Sequence, residues 1–207
     1  MLSGNAQSQY QNIRFVQRFA RSRDAQTKEP LYPITSLSTE VAEQGLQTTL
    51  EAWKDTEACR FILGLLKSKE HLKVKSVVAF GNGSLADTTT TSAFGTHVDE
   101  ARFRENSRYQ HALMLTVGEL YDTKNESGSS VQYYAQEPRS QEIDRAVLGT
   151  WNITVVDDPE GFLRVDDESV VISIHSAIPL RQIVCEIAKP AVLIWNTVDG
   201  PEAPRAW

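Results

Sequence analysis

Several things are scarce in this 207-residue sequence, and each scarcity excludes something. No apolar run reaches the ~18 residues of a membrane-spanning helix. There are only two cysteines, Cys59 and Cys185, both inside apolar patterns, so buried free thiols of a reducing compartment are expected rather than a disulfide framework. Basic charge is in deficit: 21 Lys and Arg stand against 27 Asp and Glu, for a net charge of −6. That balance leaves no electrostatic footprint for nucleic acid or an anionic membrane. The first residues, Met1 to Arg23, lack the apolar core of a secretory signal, so a cytoplasmic and/or nuclear protein is expected. The acceptor patterns at Asn82, Asn125 and Asn152 are then chance matches to the glycosylation motif. His97 and His111 show no metal-ligand spacing with either cysteine, so no zinc site is expected.

What remains is an ordinary globular composition, 41% hydrophobic and 23% charged, enough for one domain with a core. Residues 1–36 carry no sustained periodicity and read as a poorly ordered leader. Within it, Arg14, Arg18, Arg21 and Arg23 alternate with Ile13, Phe15, Val16 and Phe19, a pattern that also fits a short basic helix for a protein partner. The domain is expected over 37–198, followed by an irregular tail, 199–207.

The domain is organised around Val77-Val78-Ala79-Phe80-Gly81-Asn82-Gly83-Ser84, an apolar run that drives into a glycine-bracketed turn. It reads as a strand, Val74 to Phe80, covered on both faces. Before it, Ser38 or Thr39 caps a long helix, or two helices broken near Lys54 to Thr56. Its apolar stripe runs through Leu46, Leu50 and Trp53 and on to Phe61, Ile62, Leu65 and Leu66. After the turn comes a helix from Phe103 to Tyr121, with Tyr109, Ala112, Leu113, Thr116, Val117 and Leu120 inward. Strands follow at Val131–Gln136, Ile153–Val156, Ser169–Ile174 and Ala191–Trp195. Helices are expected at Gln141–Leu148, ended by Gly149, and from Ile178 to Ala188. Strands separated by helices predict an α/β fold: a Rossmann-like, mostly parallel five-stranded sheet with helices on both faces and the first strand central.

Ligands of such sheets bind beyond the carboxyl ends of the strands. The residues expected there are Gly81, Asn82, Gly83 and Ser84, then Glu137, Asp157, His175 and Asn196. Gly81 and Gly83 allow positive φ and close backbone approach, and their amides suit an anionic group. A carboxylate after the second strand, Glu137, suits the two hydroxyls of a ribose. The cofactor implied is S-adenosylmethionine or a nucleotide, with its identity open. Against a dinucleotide stands the missing third glycine, the roughly twenty residues between the turn and Phe103, and the distance along the chain to Glu137. A tight turn without ligand is the competing reading. Asp157 and Asp158 have the chemistry of a metal or acid/base pair, but adjacent acids in an Asp-Asp-Pro turn more often cap the turn, and that is the favoured reading. His175 stands at a strand end where a general base would, with no nucleophile set beside it by spacing. No catalytic set can be assembled, so an enzyme is not the expected reading.

Val77 to Leu85, the helix carrying Gln110-His111-Ala112-Leu113-Met114-Leu115, and Gln136-Glu137-Pro138 resemble the sensitivity-to-red-light-reduced (SRR-like) domain. Asp157 to Leu163, Pro179 to Val184 and Lys189 to Trp195 resemble its fungal-type branch. The resemblance spans about Leu46 to Val198 and implies a regulatory protein in signalling, circadian or cytoskeletal control, with no biochemical activity attached. Better-known members carry a Met-Pro-His-Cys-like segment where this chain has Ile174-His175-Ser176-Ala177, without the cysteine.

Overall fold

The computed structural model describes residues 26, 35–69, 71–88, 100–122, 130–174 and 178–196. The leader up to Ile34 apart from Gln26, the tail beyond Asn196, and His97 and His175 lie outside them.

Among the described residues, two helices come first. α1 (Thr39–Lys54) starts where the Ser38 hydroxyl accepts the Val41 amide, and α2 (Glu57–Lys67) where the Thr56 hydroxyl accepts the Cys59 amide. The break falls at Asp55-Thr56 because Thr56 caps the second helix better than it continues the first. α1 buries Ala42, Leu46, Leu50 and Trp53, residues three or four apart on one face. α2 departs from the expected stripe: it buries Cys59 and Leu66, while Phe61 and Leu65 are 66% and 57% exposed. Residues 61–66 are apolar nearly all round, and this outer helix packs chiefly against α1 and the next helix.

The sheet then alternates with helices: β1 (Ser76–Phe80), α3 (Glu100–Asp122), β2 (Gln132–Gln136), α4 (Glu142–Thr150), β3 (Ile153–Val156), α5 (Glu160–Leu163), β4 (Ser169–Ser173), α6 (Leu180–Ile187) and β5 (Val192–Trp195). All five strands are parallel, in the order β3-β2-β1-β4-β5. This is the Rossmann-like α/β architecture expected from the sequence, with β1 at the centre. Alternation divides the sheet between two cores. Val77, Ala79, Ala135, Val170 and Ile172 face the layer of α3 and α4, over which α1 packs. Val78, Phe80 and Val171 face Phe162 of α5 and Leu180 and Val184 of α6. β1 is buried along its whole length because both its faces are covered.

α3 runs between the sheet and α1, so every residue from His111 to Gly118 is buried. The Trp53 indole N–H donates to the Thr116 hydroxyl at 3.1 Å inside this contact. Three details differ from expectation. Cys59 is buried as expected, but Cys185 on α6 is exposed, on the side of that helix turned away from Leu180 and Val184. Gly149 does not end α4; the helix continues to Thr150 and the chain turns at Asn152, which takes φ 57°. Asparagine is one of the few residues that tolerates that conformation. The four-residue α5 is too short to show periodicity, and no helix is expected from the sequence between Val156 and Ser169.

At Gly118 α3 lies close against the sheet, since a Cβ there would fall 2.2 Å from the ring of Tyr133. Burial first, then the charges of Asp122 and Glu119, push the Tyr133 phenol up to about 12. Gly118→Ala should displace that ring, cost about 1–3 kcal/mol in urea unfolding, and return the Tyr133 titration toward its ordinary value in a spectrophotometric pH scan.

Candidate functional site

After β1 the chain leaves in one direction towards α3, and after β4 it leaves in the other towards α6. The carboxyl ends of these neighbouring strands form the topological switch point, where open α/β sheets take their ligands. The turn after β1 sits there. Gly81 and Gly83 adopt φ of 70° and 74°, and Gly81 extends the sheet by one bond, its amide donating to the Gln136 carbonyl at 3.0 Å. Gly83 also lies against α3: a Cβ built on it would stand 3.3 Å from Cβ of Ser107. Positive φ and this close approach both call for glycine.

The amides of Gly81 and Gly83 in the turn, and of Leu85 and Ala86 just beyond it, are already engaged. Gly83 donates to Glu137 Oε2 at 2.9 Å, and the other carboxylate oxygen of Glu137 accepts the Arg139 amide at 2.9 Å. Asp144, 1% exposed on α4, receives the next stretch. Its Oδ1 accepts the amides of Leu85 at 2.7 Å and Ala86 at 3.1 Å. Its Oδ2 accepts the Ser84 hydroxyl at 2.7 Å and the Gln141 amide at 2.7 Å. The Ser84 oxygen in turn accepts the Asp87 amide at 2.9 Å. Asp87 forms an ion pair with Arg139 at 2.6 Å, and its carbonyl accepts from Arg104 at 3.1 Å. A buried carboxylate is costly unless its oxygens are saturated, and four donors saturate this one.

The segment before α1 closes the rim. Leu37 donates to the Ala86 carbonyl and Thr88 to the Thr35 carbonyl, each at 2.9 Å, in a short antiparallel bridge. Beneath, His111 is fully buried on α3 and its Nδ1 lies 2.8 Å from the Ser107 carbonyl. A carbonyl only accepts, so Nδ1 carries the proton. Burial pulls the His111 pKa down, with the Ser107 carbonyl and the Asp144 charge opposing it.

The structure therefore brings together Gly81, Asn82, Gly83, Ser84 and Glu137. Asp157 stands apart at the end of β3, two strands and about 10 Å from β1, where its carboxylate pairs with Arg145 at 2.5 Å. Asp158 accepts from the Gln136 amide group at 2.9 Å, and Gln136 also receives the Gly161 amide at 2.7 Å, so this acidic segment is held as a turn. Asn196 is half-buried beyond β5, on the opposite side of β1 from Asp157. His175 follows β4 outside the described residues. Among the described residues there is no group of three or more His, Cys, Asp or Glu placed to hold a metal, and no helix long and apolar enough to cross a membrane. Asp144, Ser107 and Arg139 are absent from the residues the sequence suggested. Asp144 had a signal, an acid three residues after the polar residue that opens α4, which is capping-box spacing.

A parallel α/β sheet with a polar, self-clasped turn at its switch point defines the class. Within it, the SRR1 domain matches residues 39–203, and the chain belongs to that family. No curated protein and no solved structure matches the chain.

Asp144→Ala leaves the amides of Leu85 and Gln141 and the Ser84 hydroxyl without their acceptor, and Ala86 with only the Ser84 oxygen at 3.2 Å, and should cost about 3 kcal/mol or more in urea unfolding. His111 adds a pH dependence. Its folded pKa lies below the unfolded value, so the unfolded chain binds more protons beneath pH ~6.5. Stability should be complete above that pH and fall as pH drops through and below it. His111→Gln should flatten that limb of a stability–pH curve.

Proposed function

We propose that this chain is a regulatory protein of the fungal-type branch of the SRR1 domain family. It acts in signalling, circadian or cytoskeletal control, in the cytoplasm and/or nucleus, through what it binds rather than through turnover. Support for the branch comes from Asp157 to Leu163, Pro179 to Val184 and Lys189 to Trp195, the segments that carry its resemblance. Support for binding without turnover comes from one observation: after β1 the amides of Gly83, Leu85 and Ala86 are satisfied by the chain's own Glu137 and Asp144. In a phosphate-binding turn those donors face the anion. Here an incoming phosphate would have to displace two carboxylates and would meet their charge. The partner is a protein of unknown identity, and the leader from Ile13 to Arg23 is one segment suited to dock it.

A second reading, an enzyme using S-adenosylmethionine or a nucleotide, is favoured by the polar character of all five strand ends. Its contacts would come from Gly81, Asn82, Gly83, Ser84, Glu137, Asp157, His175 and Asn196, with His175 as the candidate base. The two readings part in experiment. Loss of the protein from its host should alter circadian period, light response or sensitivity to a microtubule poison, while the purified protein consumes neither S-adenosylmethionine nor nucleotides. No change in all three traits removes the regulatory reading. Consumption of a cofactor that His175→Ala abolishes replaces it with the enzyme.

A further inference from the structure

We propose that the switch point holds a neutral, planar group that offers a hydrogen-bond donor and an acceptor side by side, read by the carboxamide of Asn82 with the Ser107 hydroxyl beside it. An adenine-type base and a primary carboxamide both have that chemistry. The inference rests on the reading that the chain works by binding, and it names the chemistry of what the β1 end receives.

Asn82 is 1% exposed, and among the described residues neither its Nδ2 nor its Oδ1 has a hydrogen-bond partner. Ser107 is likewise 1% exposed with its Oγ unpartnered, and it abuts Gly83, the next residue along from Asn82. Buried polar atoms in native proteins are almost always paired, so unpaired ones call for an explanation. Here a donor, an acceptor and a hydroxyl gather at the place where this class of sheet takes ligands. Their neighbours in the turn are engaged. Gly83 is bound to Glu137, Leu85 and Ala86 to Asp144, and Asp87 to Arg139. Asn82 is the residue of the turn whose side chain is left over.

The surroundings decide the sign of the charge. Glu137, Asp144 and Asp87 place three carboxylates about the turn. Of the guanidinium groups nearby, Arg139 is paired with Asp87 and Arg104 donates to the Asp87 carbonyl. An anion would find the amides of Gly83, Leu85 and Ala86 already taken and would meet an adverse potential. A neutral group avoids the adverse potential and needs none of those amides. The carboxamide is itself a fixed donor–acceptor pair, and it matches an edge with the complementary pair, such as N6 and N7 of adenine or another amide. With Asn82 so deeply covered, entry requires the local opening that native loops undergo, so a slow onset is expected.

The test uses the full chain with adenosine, nicotinamide and AMP at millimolar concentration. Two readouts apply: the melting temperature, and the ¹⁵N-labelled side-chain NH₂ signal of Asn82. Adenosine or nicotinamide should raise the melting temperature and move that signal, the responding probe identifying the source. AMP should bind no more tightly than adenosine. Ser107→Ala should weaken the responding probe about tenfold, the effect of one lost hydrogen bond. Asn82→Leu should abolish the response while melting no lower than the parent without probe, because it removes the unpaired amide. If Asn82→Leu does not fold, Ser107→Ala and the NH₂ signal decide the matter. The inference is overturned if neither probe acts, if Asn82→Leu still responds, or if AMP binds more than about tenfold tighter than adenosine. Silence from both probes would mean that ordered water serves Asn82. The regulatory reading, tested in the host, would survive that outcome.

Discussion

The site depends on one buried carboxylate. Asp144 opens α4 by accepting the Gln141 amide and, with its remaining lone pairs, holds Ser84, Leu85 and Ala86. The loop after β1 dives into the protein at Leu85 and Ala86, both fully buried, where backbone N–H groups have no access to water. A partner had to come from the protein itself, and an ionised acceptor that serves several donors at once is the most economical one. The same choice places a negative charge under the switch point, to which the turn, His111 and any ligand must adapt.

That choice also bears on how a glycine-bracketed turn is interpreted. Two glycines at positive φ after a central parallel strand expose amides that suit an anion, and nothing in the backbone says whose anion it is. In nucleotide-binding proteins it is the ligand's phosphate. Here the anions are Glu137 and Asp144, built into the chain. A shared fold carries no shared chemistry on its own; the occupant of those amides is what distinguishes the cases.

The architecture was legible because β1 to β5 are short apolar runs set between helices with clear stripes, and periodicity reports burial directly. Element ends were less so. Asn152 outcompeted Gly149 as the turning residue, and α5 is a single turn, below the reach of periodicity. α2 misled for the opposite reason, since it is apolar on more faces than it has neighbours. At the site, the glycine turn and Glu137 stood out as local features, and they do meet. The bond between them joins residues 54 positions apart, which is a property of β1 lying beside β2 and not of either motif. Asp144 stayed hidden because its partners lie about sixty positions upstream and its local spacing described only a helix cap. Ser107 carries no local signal, because what sets it apart is the approach of Gly83, 24 positions upstream.

The bridge between Thr35–Leu37 and Ala86–Thr88 carries a mechanical consequence. The segment that leads into α1 is fastened to the loop after β1. A pull applied upstream of Thr35 would therefore load Ala86 and Thr88 first, through two backbone bonds, and would pass by way of Asp144 to α4 while the sheet was still unstrained. The domain's handle and the polar turn after β1 share one joint.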